Sequence, residues 1–166
     1  MYPQMSQSFS VSLLLMLVLA CRTPQPVADK PPVTALPLSY EVLEQGNYCG
    51  VEESGQELIQ DASRWAQLWK QLSAQRFPVP PVPEVNFAEE SVVACFMGQQ
   101  MTGGYAIQVK SLNEEGEQVY VDLIYERPAP DCMVTEALTQ PYLLLRLPVA
   151  GLKGASFSVT KEQRGC

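Results

Sequence analysis

Apolar and polar residues alternate with period two through much of the chain, and this restricts it to a mainly β fold. Val119, Val121, Leu123 and Tyr125 fall on one side of a segment, with Gln118, Tyr120, Asp122, Ile124 and Glu126 on the other. Ala155, Phe157 and Val159 alternate with Ser156, Ser158 and Thr160, and Tyr105, Ile107 and Val109 with Ala106, Gln108 and Lys110. Leu143, Leu145 and Leu147 share a face, with Arg146 on the opposite side. This is the pattern of strands with one face in a core. Val92–Met97 is apolar throughout, which predicts a central strand buried on both faces. Asn113-Glu114-Glu115-Gly116 reads as a connection between hairpin strands. The expected fold is a small antiparallel β-sandwich or curled sheet.

One segment departs from this period. Trp65, Leu68, Trp69 and Leu72 recur at helical spacing, so they line one face of a helix expected over 61–75, with Asp61 as N-cap. The tryptophans could form an aromatic ligand platform, but their spacing favours packing of the helix over the sheet. Phe77-Pro78-Val79-Pro80-Pro81-Val82-Pro83 should then run as an extended, rigid connector.

The N-terminus carries a different message. Val11–Ala20 is apolar but shorter than the roughly 20 residues a membrane helix needs. It ends in Val18-Leu19-Ala20-Cys21, which reads as a lipobox closing a signal peptide over 1–20. Met1–Ser10 holds no Lys or Arg, a departure from the usual basic leader. Cys21 is the expected lipid attachment site, giving a lipoprotein (palmitate being a typical acyl group) held firmly in the cell envelope. Arg22, rather than Asp, follows the cysteine, which resembles sorting to the outer membrane if the cell has two membranes. Prolines 24, 26, 31, 32 and 37 suggest a tether over 21–39, leaving 40–166 as the globular domain.

The formal charge of −7 gives no electrostatic footprint for phosphate backbones, so nucleic acid is not an expected partner. With Cys21 set aside, Cys49, Cys95, Cys132 and Cys166 remain, an even number in an exported domain. The preferred pairing is Cys49 with Cys166 and Cys95 with Cys132. The chain has no His and no Cys-x-x-Cys, so no metal is expected. Without His, a serine or cysteine nucleophile lacks its usual base. Glu52-Glu53, Glu89-Glu90 and Glu114-Glu115 are neighbouring pairs, not opposed ones, and read as solvated. No phosphate loop or calcium loop is present. The expectation is a non-enzyme with no catalytic residue and no cofactor.

Loops therefore carry the functional reading. Gly98-Gln99-Gln100-Met101-Thr102-Gly103-Gly104-Tyr105 places two glycines and a tyrosine just before a strand. That arrangement suits either a tight turn or a binding loop. Pro128-Ala129-Pro130-Asp131-Cys132 and Thr139-Gln140-Pro141-Tyr142 are similarly constrained. Together they make one candidate binding rim, with Thr102, Gly103, Gly104, Tyr105, Pro128, Pro130, Pro141 and Tyr142 as candidate contacts.

Several pieces resemble the C-terminal domain of the PrcB family of protease-complex subunits. They are Trp65-Ala66-Gln67-Leu68-Trp69, Val85-Asn86-Phe87, Thr102-Gly103-Gly104-Tyr105-Ala106-Ile107, Arg127-Pro128-Ala129-Pro130 and Thr139-Gln140-Pro141-Tyr142, across about residues 64–147. Asn86 stands where this family pattern suggests Asp. The resemblance implies a non-catalytic, lipid-anchored protein that binds a protein partner, such as a surface protease that it stabilises. A more distant similarity, to chagasin-type inhibitors, rests on the Thr-Gly-Gly-Tyr loop. It implies protease inhibition as the alternative, although this chain has an extra Gly and only Arg127-Pro128-Ala129 for the partner loop. A structural envelope lipoprotein is the third reading.

Overall fold

The strand that is apolar throughout organises the molecule. The structure, a computed structural model, describes residues 35–166. Its elements are β1 (Leu36–Pro37), β2 (Glu41–Gly46), β3 (Ser54–Ile59), α1 (Ala62–Leu72), β4 (Ser91–Met97), β5 (Ala106–Glu115), β6 (Gln118–Pro128), β7 (Tyr142–Leu147) and β8 (Gly154–Arg164). They form two four-stranded sheets, ordered β1-β5-β6-β8 and β2-β7-β4-β3. In β4, Val93 and Cys95 face the other sheet, while Val92, Ala94 and Phe96 face the helix. The run lacks alternation because both of its faces are buried. β7 does the same: Leu143, Leu145 and Leu147 lie between the sheets and Leu144 lies under the helix.

The expected mainly β architecture with one packed helix is what the chain adopts. Val119, Val121, Leu123 and Tyr125 of β6 enter the inter-sheet core, as their alternation predicts. One strand pair is not antiparallel. β8 runs parallel to β6, from Gln118 opposite Gly154 to Pro128 opposite Arg164. The chain reaches this arrangement because β7 returns it to the far end within the other sheet, so β8 must run in the direction of β6. The alternation of β5 breaks at Lys110, where the register shifts between Val109 and Ser111 and brings Leu112 onto the buried face that Ile107 occupies.

Asp61 caps α1 as expected, its carboxylate accepting from Arg64 N at 2.8 Å. Trp65, Leu68, Trp69 and Leu72 are all buried, each contributing roughly 1.5–3 kcal/mol or more through burial. The helix ends before the expected residue 75. The Ser73 hydroxyl donates to Trp69 O at 2.6 Å and its N–H also bonds that carbonyl, terminating the last turn. The tryptophans are core, with ring centroids 5.6 Å apart. Their indole N–H groups donate to Pro83 O and Pro80 O at 2.9 and 3.1 Å. The proline-rich connector therefore supplies acceptors that hold it along the helix.

Two further boundaries differ from expectation. The hairpin turn is Gly116–Glu117, because Asn113 and Glu114 stay in β5 and pair with Pro37 and Leu36. The folded part consequently reaches back before residue 40: Leu38 N donates to Leu112 O at 2.9 Å and Leu38 packs on the core. Asn86 also has a local role. Its side-chain amide donates to Glu89 at 3.1 Å, and its backbone N–H donates to Glu90 at 2.9 Å. An Asp could not make the first bond and would repel both carboxylates. The signal segment 1–20, Cys21 and the tether to residue 34 lie outside the described residues. Among those described, no helix is long and apolar enough to cross a membrane.

Candidate partner-binding rim

Strand directions bring the segments after β2, β4 and β6 to one end of the sandwich, together with the C-terminus of β8. These segments are linked directly. Gln100 and Thr139 exchange backbone bonds at 2.7 and 2.9 Å, and Gly103 N donates to Thr135 O at 2.8 Å. The Thr139 hydroxyl donates to Thr102 O at 2.7 Å. Gln140 N and Gln99 N reach Asn47 O and Glu52 O at 2.8 and 2.9 Å. The loops singled out from sequence thus form one continuous rim.

Glycine is required at two points in this rim. Gly104 has φ of 89°, and a Cβ there would lie 3.0 Å from Val134 Cγ1 and 3.1 Å from Pro128 Cβ. Gly98 has φ of 72°, and a Cβ would come within 2.8 Å of Ser54 N. Gly103 does not adopt positive φ, so only the second glycine of Thr-Gly-Gly-Tyr is needed for conformation. Tyr105 is half-buried and forms a wall shared by two clefts of about 510 and 390 Å³.

The candidate contacts divide by burial. Thr102, Gly103, Gly104, Tyr105 and Pro128 are half-buried and Pro130 is exposed. Pro141 and Tyr142 are buried, with Tyr142 only 2% exposed, so neither offers its side chain to a partner. Tyr142 belongs instead to the core beneath the helix. Its hydroxyl donates to Glu44 at 2.9 Å and accepts from Arg76, which also pairs with Glu44 at 2.6 Å. The side chains that do project are Met101 (74% exposed), Met133 (fully exposed), Tyr48 (59%) and Leu138 (48%). None was among the candidate contacts read from sequence. Their signal was available as apolar residues in loop segments with no strand or helix period to bury them.

The cysteines pair differently from the expected pattern. Cys132 and Cys166 form a disulfide, while Cys49 and Cys95 are free and buried. Cys95 faces the inter-sheet core and Cys49 the helix-side core, on opposite faces of one sheet, so they cannot meet. Cys132 and Cys166 are brought together by the β6–β8 pairing, which also sets Ala129 N on Arg164 O at 3.0 Å. Asp131 stands beside this disulfide, forming the one metal-ligand-type cluster among the described residues. Both of its sulfurs are spent on each other.

The buried hydroxyls and thiol make a pH prediction. Burial pushes Tyr142 up to about 12, reinforced by its bond to Glu44, and burial pushes Tyr125 up to about 12 although Gln56 opposes this. Burial also raises Cys95 to about 12. The ordinary values are 10.0 for tyrosine and 9.0 for cysteine. The native state therefore holds these protons more tightly than the unfolded chain. Their contribution is complete below about pH 9 and is lost as pH rises through about 12. Each group loses about 1.4 kcal/mol for every pH unit between its unfolded and folded values. Urea midpoints should fall steeply over this window, and Tyr125→Phe with Tyr142→Phe should flatten the fall.

Residues 91–148 match the family described as PrcB C-terminal. This stretch is similar to the PrcB-type C-terminal domain. It contains β4 to β7 and both principal rim loops, including Thr102–Ile107, Arg127–Pro130 and Thr139–Tyr142. The helix and Val85–Phe87, part of the resemblance read from sequence, precede the matched stretch and lie outside it. No match exists among curated proteins or among solved structures.

Proposed function

We propose that the protein is a non-catalytic, lipid-anchored accessory subunit whose PrcB-type domain binds a protein partner, a surface protease being the favoured one, through the rim. The observation carrying this reading is the exposure of Met101, Met133, Leu138 and Tyr48 at one end of the sandwich. Leu36, Phe77 and Val79 are exposed as well, but on the first strand and the proline-rich connector; the rim gathers its exposed apolar groups on a hydrogen-bonded scaffold, which suits association. Methionine adapts to a partner surface at little cost. The PrcB resemblance supports a protease-complex setting and an envelope location.

The position of β1 adds support. Leu36 and Pro37 pair near the β5–β6 turn, at the end opposite the rim. The described chain thus enters the domain at the end opposite the rim, which leaves the rim free of the tether's attachment point. In the Gly98–Tyr105 loop, Met101 is exposed and Tyr105 is half-buried, which favours association over inhibition by an inserted tyrosine.

The test is capture from solubilised native membranes with the tagged full-length protein. Co-purifying chains would be identified by mass spectrometry, beside the Met101→Asp/Met133→Asp variant. The wild type should retain a stoichiometric protease, and the variant should recover at least about tenfold less, since buried anchors dominate association energy. Equal recovery by a folded variant would refute the rim. A captured protease that loses activity on addition of the domain would support inhibition instead.

A further inference from the structure

We infer that the 510 Å³ cleft between β3 and β8 accepts an acidic, extended segment of the partner protein. This inference rests on the reading that the protein binds a protein partner, and it names a second contact that adjoins the rim at Gln100 and Tyr105 but does not use Met101 or Met133. The cleft opens where the two sheets part. β3 is hydrogen-bonded only to β4, and β8 only to β6, so each borders the cleft with an unpaired outer edge. Its walls include Arg127, Lys161, Gln56, Gln100, Tyr105 and Val159.

Strand alternation creates a local reversal of charge. Arg127 follows Tyr125 on the inward side of β6, and Lys161 lies opposite Tyr125 in the parallel register. Both therefore continue the apolar inner faces of their strands toward the opening. The acids are turned the other way. Glu126 bonds Gln108 and Arg164, and Glu57 of β3 bonds Arg64. No carboxylate lines the cleft, although the chain carries 18 acidic residues and a charge of −7. Among the described residues, Arg127 and Lys161 make no ion pair.

The components match one ligand chemistry. An open strand edge recognises a backbone by main-chain hydrogen bonds, while a pocket beside it selects alternate side chains. Two cations near tyrosine and amide groups select a carboxylate. Val159, 36% exposed, offers an apolar surface beside the two cations. The volume falls within the roughly 300–1,000 Å³ range of ordinary ligand sites.

The test uses the full-length protein and fluorescein-labelled, C-amidated Thr-Val-Glu-Val-Glu-Val-Thr, with a Gln-for-Glu peptide as control, read by fluorescence anisotropy. The Glu peptide should bind at least about tenfold more tightly than the Gln peptide and weaken with added salt. Arg127→Gln/Lys161→Gln should abolish that preference, and both positions are exposed, so folding should be retained. Equal binding of the two peptides, or an unchanged preference in the variant, would overturn the inference. So would N-acetylglutamate amide binding as tightly as the peptide, because the site would then serve a small molecule. Oligomerisation of the variant without loss of peptide affinity would assign the two cations to guarding the strand edges. Capture on the rim with no Glu preference defeats only this inference, whereas Glu-selective binding with rim variants that still capture the partner defeats only the rim.

Discussion

Trp69→Ala is expected to destabilise the domain by about 3–5 kcal/mol, the range for removing a buried aromatic side chain. Trp69 is 5% exposed, packs against Trp65 and has the Arg76 guanidinium 5.9 Å from its ring centroid. Its loss opens a cavity beneath the helix and removes the indole donor to Pro80 O. Trp69→Phe retains most of the packing and should cost less, chiefly the hydrogen bond at about 1 kcal/mol. Urea denaturation followed by circular dichroism would measure both changes. If Trp69→Ala left stability unchanged, the helix would not be anchored by this face and an aromatic ligand platform would return as the better use of the pair. The same helix also reaches the rim, since Gln71 donates to Gly50 O at 3.3 Å. Large losses at Trp69 should therefore loosen the β2–β3 segment that supports Asn47 and Glu52.

Removing the disulfide should produce the second large effect. Cys132 and Cys166 enclose a sequence separation of 34 residues. Chain entropy assigns about 3–4 kcal/mol to a closure of that length. Cys132→Ser/Cys166→Ser should accordingly lower Tm, and dithiothreitol should reproduce the loss in the wild type. The effect should spread through the rim, because β8 would lose its covalent hold on the β6–β7 loop. Thiol titration offers a companion check. Cys49 and Cys95 should react only after unfolding, since both are buried and burial raises both thiols. Prompt reaction of either under native conditions, or an unchanged Tm after reduction, would contradict this arrangement.

Local pattern made much of the fold readable. The inward faces of β6 and the start of β8, the double burial of β4 and the helix over Trp65–Leu72 all follow from side-chain period alone. The period belongs to the backbone: strand neighbours point to opposite faces, while helix neighbours at three and four return to the same face. Loop positions were legible for a similar reason, since Gly104 needs positive φ and Pro128 cannot donate within a strand.

Partner choice was not readable. Cys132 could be paired with Cys95 on paper because no sequence pattern states which sheet face a distant cysteine occupies. The parallel β6–β8 register decides it by carrying Cys166 to the rim while Cys95 stays between the sheets. Tyr142 illustrates the same limit. Its Thr-Gln-Pro-Tyr setting looks like a surface turn, yet pairing of β7 with both β2 and β4 places its ring under the helix with Glu44 and Arg76. The cleft, too, arises only when the open edges of β3 and β8 come together.

The sequence by itself determined the β-rich class, the helix and its buried face, the inner residues of several strands and the loops that make the rim. Those properties depend on short-range spacing and on backbone restrictions at Gly and Pro. The tertiary structure alone decided strand order, the parallel pair, the disulfide, the exposed Met101 and Met133, and the inward cations Arg127 and Lys161. Each depends on which distant segments meet, and the free energy of such meetings is shared over many contacts between the sheets.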